Sequence, residues 1–180
     1  VPARAAPDSA PEGETMTATE IFCRNHRTIR TALVRLDRAL LMRTPQWQLV
    51  AKNLTAYLDF ELREYWGSEE RWIFGPLAET GPDAAAVVDQ MLQEHRDLEA
   101  RLAEFKALTL RPVMDEIAPL VREKGIALVK EFLHHMFLEE EVGFALAEER
   151  LGLQHLERVA DQVLQLKEFE KGLEEPAAID

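Results

Sequence analysis

The sequence predicts an all-α fold: an antiparallel up-down-up-down four-helix bundle with a short additional C-terminal helix. Three observations carry this. Gly and Pro are sparse, and the segments between them repeat their apolar residues at helical steps of three and four. No segment joins β-branched enrichment to strict alternation, so a sheet is not expected. The breaks between segments are short, and short connections make long helices antiparallel neighbours.

Each element has its own signal. Thr17 and Glu20 form a capping box, which opens a first helix running to about Met42. "RTPQW" breaks it, and a second helix follows over 46–77, with Gly67 a weak point near its end. Pro82 and Asp83 start a third helix that ends near Leu108. "LRP" leads into a fourth segment, with a split expected near Pro119 or Gly125, which ends before Gly152. The amphipathic stretch "LERVADQVLQLKEFE" is a fifth helix packed across the others. Residues 1–16, rich in Pro and Ala, read as a disordered tail or as residues foreign to the domain, without the apolar stretch of a secretory signal. On this reading 17–170 form the domain and 171–180 a frayed end.

Composition narrows the function. The 180 residues carry 21 Lys+Arg against 33 Asp+Glu, a net charge of -12, which argues against nucleic acid or an anionic membrane as partner. No apolar run reaches the roughly 18–20 residues that span a bilayer. A single cysteine, Cys23, excludes an internal disulfide and fits a reducing cytoplasm.

The inner stripes hold the informative residues. Phe22, Ile29, Leu33, Leu36 and Leu40 line one face of the first helix, and His26 lies among them. Leu54, Leu58, Leu62 and Trp72 share a face with Tyr65 and Glu69 in the second. His95 sits with Val88, Met91, Leu98, Leu102 and Phe105, and His135 and Glu139 sit with Leu128, Phe132, Val142 and Leu146. One histidine on such a face is ordinary, but a buried carboxylate must be paired or bound to a cation. Arg30, at the edge of the first stripe, is the nearest basic residue, and it cannot neutralise both Glu69 and Glu139. A metal supplies the missing charge.

Counted from the turns, these residues fall near one level of an antiparallel bundle, provided the fourth helix has extra length before His135 to absorb. Tyr65 with Glu69, and His135 with Glu139, are spaced i, i+4 and so stack on one helix face. The two stretches, "YWGSEERWIF" and "HMFLEEEVGF", share a ring, a glutamate four residues on and a phenylalanine five after that. Three histidines, two carboxylates and a phenol suit two ions better than one, with iron favoured and manganese or zinc as substitutes. Glu61 is a candidate acceptor for Tyr65 or an alternative ligand, while Glu70, Glu140 and Glu141 read as a solvated face. His134 points away from His135 and reads as peripheral.

"NHRTIRTAL", "EYWGSEERWIFGPL", "QEHRDLEARL" and "HHMFLEEEVGFALAEERL", in this order, resemble the hemerythrin-like, or HHE cation-binding, family of four-helix-bundle di-iron proteins. The resemblance covers roughly residues 18–160. It implies that His26 and position 65 bind one iron, and His95 and His135 the other. Glu69 and Glu139 would then bridge, with an oxo or hydroxo group between the irons. Two positions depart from the family pattern: Tyr65 replaces a usual histidine, and Glu99 replaces the further histidine of oxygen-carrying members. Glu99 reads either as a terminal ligand or as a solvated residue, and Tyr65 either as a ligand or as aromatic core in a degenerate site. A bound phenolate stabilises the ferric state, so Tyr65 argues against reversible oxygen carriage. Peroxide or redox chemistry, catalase-like, is the expected function, with O2, H2O2 or NO as small-molecule partners. A sensing module for O2, NO or iron status is the alternative.

Overall fold

The computed structural model describes residues 16–42, 46–110 and 117–174. The expected terminal tails and the "RTP" and "RP" breaks fall largely outside them. Helix α1 (Ala18–Met42) begins at the expected box: the Thr17 N–H donates to Glu20 Oε2 at 2.8 Å, and the Glu20 N–H to Thr17 Oγ1 at 3.3 Å. Helix α2 (Trp47–Glu69) passes through one π-helical turn (Glu70–Phe74) into a final helical turn (Gly75–Ala78). Helix α3 (Pro82–Thr109) carries its proline in the first turn, where a missing N–H costs no hydrogen bond. Helix α4 (Ala118–Leu138) likewise passes through a π turn (Glu139–Phe144) into Ala145–Leu151. Gly152, at a φ of 77°, takes the left-handed conformation that ends it. Helix α5 (Leu153–Glu174) follows. There is no strand among the described residues.

Helix α1 packs on α2 and α4, and α3 packs on the same two, which closes the four-helix square; α5 lies against α1 and the end of α4. No described helix is long and apolar enough to cross a membrane. The expected split in the fourth helix does not occur. Pro119 sits in the first turn of α4, and Gly125 lies buried within it. A Cβ at Gly125 would stand 2.6 Å from Leu40 Cδ1 and 2.7 Å from Phe105 Cζ, so the glycine permits close approach of α4 to α1 and α3. The extra length before His135 needs no break, because α4 begins only at Ala118.

The π turns shift the inner stripes by one residue. Trp72 and Val142, both expected inside, are displaced outward: Val142 is 40 % exposed, and Trp72 is part-buried under Arg71, whose guanidinium lies 4.4 Å from the ring centre. The residues just after them, Ile73 and Phe74 in α2, Gly143 and Phe144 in α4, take the interior. An inserted residue per turn breaks the 3.6-residue period, and so breaks any stripe extrapolated through it.

The core is two apolar clusters with a polar layer between them. One holds Leu36, Leu40, Leu58, Phe105 and Phe132; the other holds Phe22, Phe74, Phe144 and the inner face of α5 at Leu156 and Val159. The histidines and glutamates singled out in the sequence form the layer.

Candidate metal centre

His26, Glu69, His95, His135 and Glu139 are all buried, and they meet in that layer. His26, Glu69 and Glu139 offer ligand atoms within 4.8 Å of one another, and so do His95, His135 and Glu139. Glu139 belongs to both triads. Its Oε2 lies 3.2 Å from His26 Nε2 and 3.5 Å from His135 Nε2, and its Oε1 lies 3.5 Å from His95 Nε2. Glu69 Oε1 lies 3.6 Å from His26 Nε2.

Each of the three histidines is fixed from behind. His26 Nδ1 donates to Glu140 Oε1 at 2.8 Å, His95 Nδ1 to Glu70 Oε1 at 2.7 Å, and His135 Nδ1 to Glu94 Oε2 at 2.8 Å. An Nδ1–H held by a carboxylate turns Nε2 toward the interior and raises its basicity, as in many metal-binding histidines. These three carboxylates correct the sequence reading, which placed Glu70 and Glu140 on a solvated face and passed over Glu94. A signal was present. Glu70 and Glu140 directly follow Glu69 and Glu139, and Glu94 directly precedes His95. Adjacent helical residues diverge by about 100°, so one carboxylate enters the layer while its neighbour reaches the next helix. Arg30 donates to Glu140 Oε2 at 2.9 Å, so its charge serves the supporting carboxylate.

Aromatic rings line the layer. Trp66 stacks on His95 with ring centres 4.8 Å apart, and Phe144 stacks on His26 at 5.7 Å. Trp66 was not singled out in the sequence, since it lies one residue off the assumed stripe. Gly143 lets Phe74 close in: a Cβ there would meet its ring at 3.3 Å.

Charge in the layer is strongly perturbed. Burial raises the Glu69 pKa, and the nearby Glu139 raises it further, to about 7. Burial also works against ionised Glu139, but His26 and His95 outweigh it and hold that carboxyl well below its usual range. Burial opposes a charged His26, yet Glu139, Glu140 and Glu69 push it up to about 12. His95 rises to about 9 against the same burial, through Glu139 and Glu70. Burial carries His135 the other way, downward, despite Glu139.

Both oxygens of Glu69 and of Glu139, with His95 Nε2 and His135 Nε2, have no hydrogen-bond partner despite full burial. Orphaned buried acceptors on four convergent side chains are costly in a finished core, and a cation is the partner that satisfies them together. The residues therefore fit a metal. Nitrogen and carboxylate donors in this mixture suit iron, manganese or zinc.

Tyr65 stands one turn before Glu69, half-buried against the core cluster of Leu36, Leu58 and Phe132. Burial raises its pKa, and its hydroxyl donates to Glu61, which raises it further. Glu61 thus acts as the acceptor that the sequence suggested. Glu99 is 52 % exposed, 3.9 Å from Arg63, and His134 is exposed. Glu131, one turn before His134, pairs with Arg101. Cys23 is part-buried, and burial pushes its thiol pKa up, away from the reactive thiolate.

Comparison with curated proteins and with solved structures gave no match. The family model described as the hemerythrin HHE cation binding domain matches residues 17–147, a span holding all of the residues that meet in the layer. The chain belongs to the hemerythrin HHE cation-binding domain family, and its buried His/Glu layer holds groups that could bind a metal ion.

Proposed function

We propose that this chain is a non-haem di-iron protein with a carboxylate-bridged, tyrosine-containing site, suited to catalase-like peroxide chemistry rather than reversible oxygen carriage. The observation that carries the di-iron reading is the pair of triads sharing Glu139, whose carboxylate lies 3.2 Å from His26 Nε2 and 3.5 Å from His95 Nε2 and His135 Nε2. His95, His135 and Glu139 would hold one ion. His26, Glu69, Glu139 and Tyr65 would hold the other. A bound iron pair supplies two-electron redox chemistry, which matches the disproportionation of two H2O2 into O2 and two H2O without an outside reductant.

The chain's own groups shape that chemistry. Glu70, Glu94 and Glu140 keep the three imidazoles oriented, while Trp66, Phe74 and Phe144 keep the layer dry. Coordination would draw the proton from Tyr65, as cations do to other bound ligands. The resulting phenolate adds negative charge and favours the ferric state, which an oxygen carrier must leave in order to rebind.

The test is peroxide turnover by iron-loaded protein, with Glu139→Ala alongside. Oxygen evolution by the wild type and none by the variant supports the proposal. Stable adducts with O2 or NO and no turnover would favour a sensing role instead.

A further inference from the structure

The two halves of the bundle repeat one another about the layer. His26 on α1 corresponds to His95 on α3, and Glu69, Glu70 and Phe74 on α2 correspond to Glu139, Glu140 and Phe144 on α4. The hydrogen bonds obey the same relation. Glu140 of α4 holds His26 of α1, and Glu70 of α2 holds His95 of α3.

The relation fails at one pair. His135 is held by Glu94, the residue just before His95. Its counterpart is Tyr65, and the residue just before His26 is Asn25. Where one half has a histidine the other has a tyrosine, and where one half supports that ring with a carboxylate the other has an amide.

We infer that Asn25 and Tyr65 are a matched substitution that makes the two metal positions unequal, one nitrogen-rich and one oxygen-rich. This rests on the di-iron reading above. A histidine needs an acceptor for its Nδ1–H. A phenol has one polar atom, whose proton coordination would remove, so a carboxylate at position 25 would have nothing to accept from a bound Tyr65 and would repel its phenolate. A neutral amide carries no such penalty. The His95, His135 and Glu139 position therefore has two nitrogens and borderline donors, and the position of His26, Glu69 and Glu139 has one nitrogen and hard oxygens, to which the proposed Tyr65 ligand would add another. The two ions are bound in two resolvable steps, with the second position biased toward harder cations.

Co2+ titration of the metal-free protein reads this directly, with thermal melts to confirm that each variant folds. Wild type should bind two Co2+ in two steps. Asn25→Glu/Tyr65→His should bind its weaker Co2+ about 10- to 100-fold more tightly than Tyr65→His alone, the range by which supporting carboxylates change metal affinity. Asn25→Glu alone should weaken that step, and Glu94→Gln should weaken the other. Folded Asn25→Glu/Tyr65→His no tighter than Tyr65→His overturns the inference while leaving the di-iron reading intact. Wild type that binds no Co2+ overturns both.

Discussion

His26 Nδ1 and Glu140 Oε1 lie 2.8 Å apart, and this contact commits the ring's other nitrogen to the interior, 3.2 Å from Glu139. Glu140→Gln keeps the size of the side chain but removes the charge that orients and polarises the imidazole. It is expected to cost about 10- to 100-fold in metal affinity with the fold retained. Glu70→Gln should do the same through His95. Competition titrations against a chelator check both, and unchanged affinity in both would mean that these carboxylates are only surface groups.

Glu69 sets a pH dependence in the metal-free protein. Its pKa is about 7 in the fold against 4.5 for the free side chain, so between these values the folded state holds a proton that the unfolded chain has lost. Stability from this group is complete below pH 4.5 and falls as pH rises through 7. Glu69→Gln cannot ionise, so its urea midpoint should fall less than that of wild type between pH 5 and 8, while its metal affinity drops. Parallel pH profiles would contradict the assignment.

A fold tolerant of a costly metal-free layer should gain on loading. A ligand at roughly 100 times its dissociation constant adds about 2.7 kcal/mol. Chelation is expected to lower the melting temperature of metal-loaded wild type and to leave Glu139→Ala unmoved. A shift of equal size in both would place the stabilising cation elsewhere.

Gly125 tests the packing of the bundle. Alanine there gains helix propensity of about 1 kcal/mol, but its methyl meets Leu40 Cδ1 at 2.6 Å and Phe105 at 2.7 and 2.8 Å. Overpacking of this kind costs about 1–3 kcal/mol. Gly125→Ala should therefore be net destabilising in urea melts, and a neutral or stabilising result would show that α4 stands further from α1 and α3.

How much of this was legible in the sequence follows from the physics of each signal. The helices were, because apolar spacing and the Thr17–Glu20 box are local features. His26, His95, His135, Glu69 and Glu139 were, because ionisable groups on an apolar stripe stand out. The interiors after Glu69 and Glu139 were not. A π turn inserts one residue without changing composition, so Trp72 and Val142 looked buried and Ile73 and Gly143 did not. Glu70, Glu94 and Glu140 were missed for a different reason: a carboxylate reaching across to another helix has the same sequence signature as one reaching into water.

Tyr65 is where the functional reading concentrates, since a phenolate bound to Fe(III) gives a charge-transfer band in the visible. The most direct measurement is the visible spectrum of iron-loaded wild type and Tyr65→Phe, with iron content determined on the same samples. The expected result is a visible band in wild type that disappears in the variant while iron remains bound. Identical spectra at equal iron content would show that Tyr65 is not a ligand and would remove the ferric-state argument against oxygen carriage.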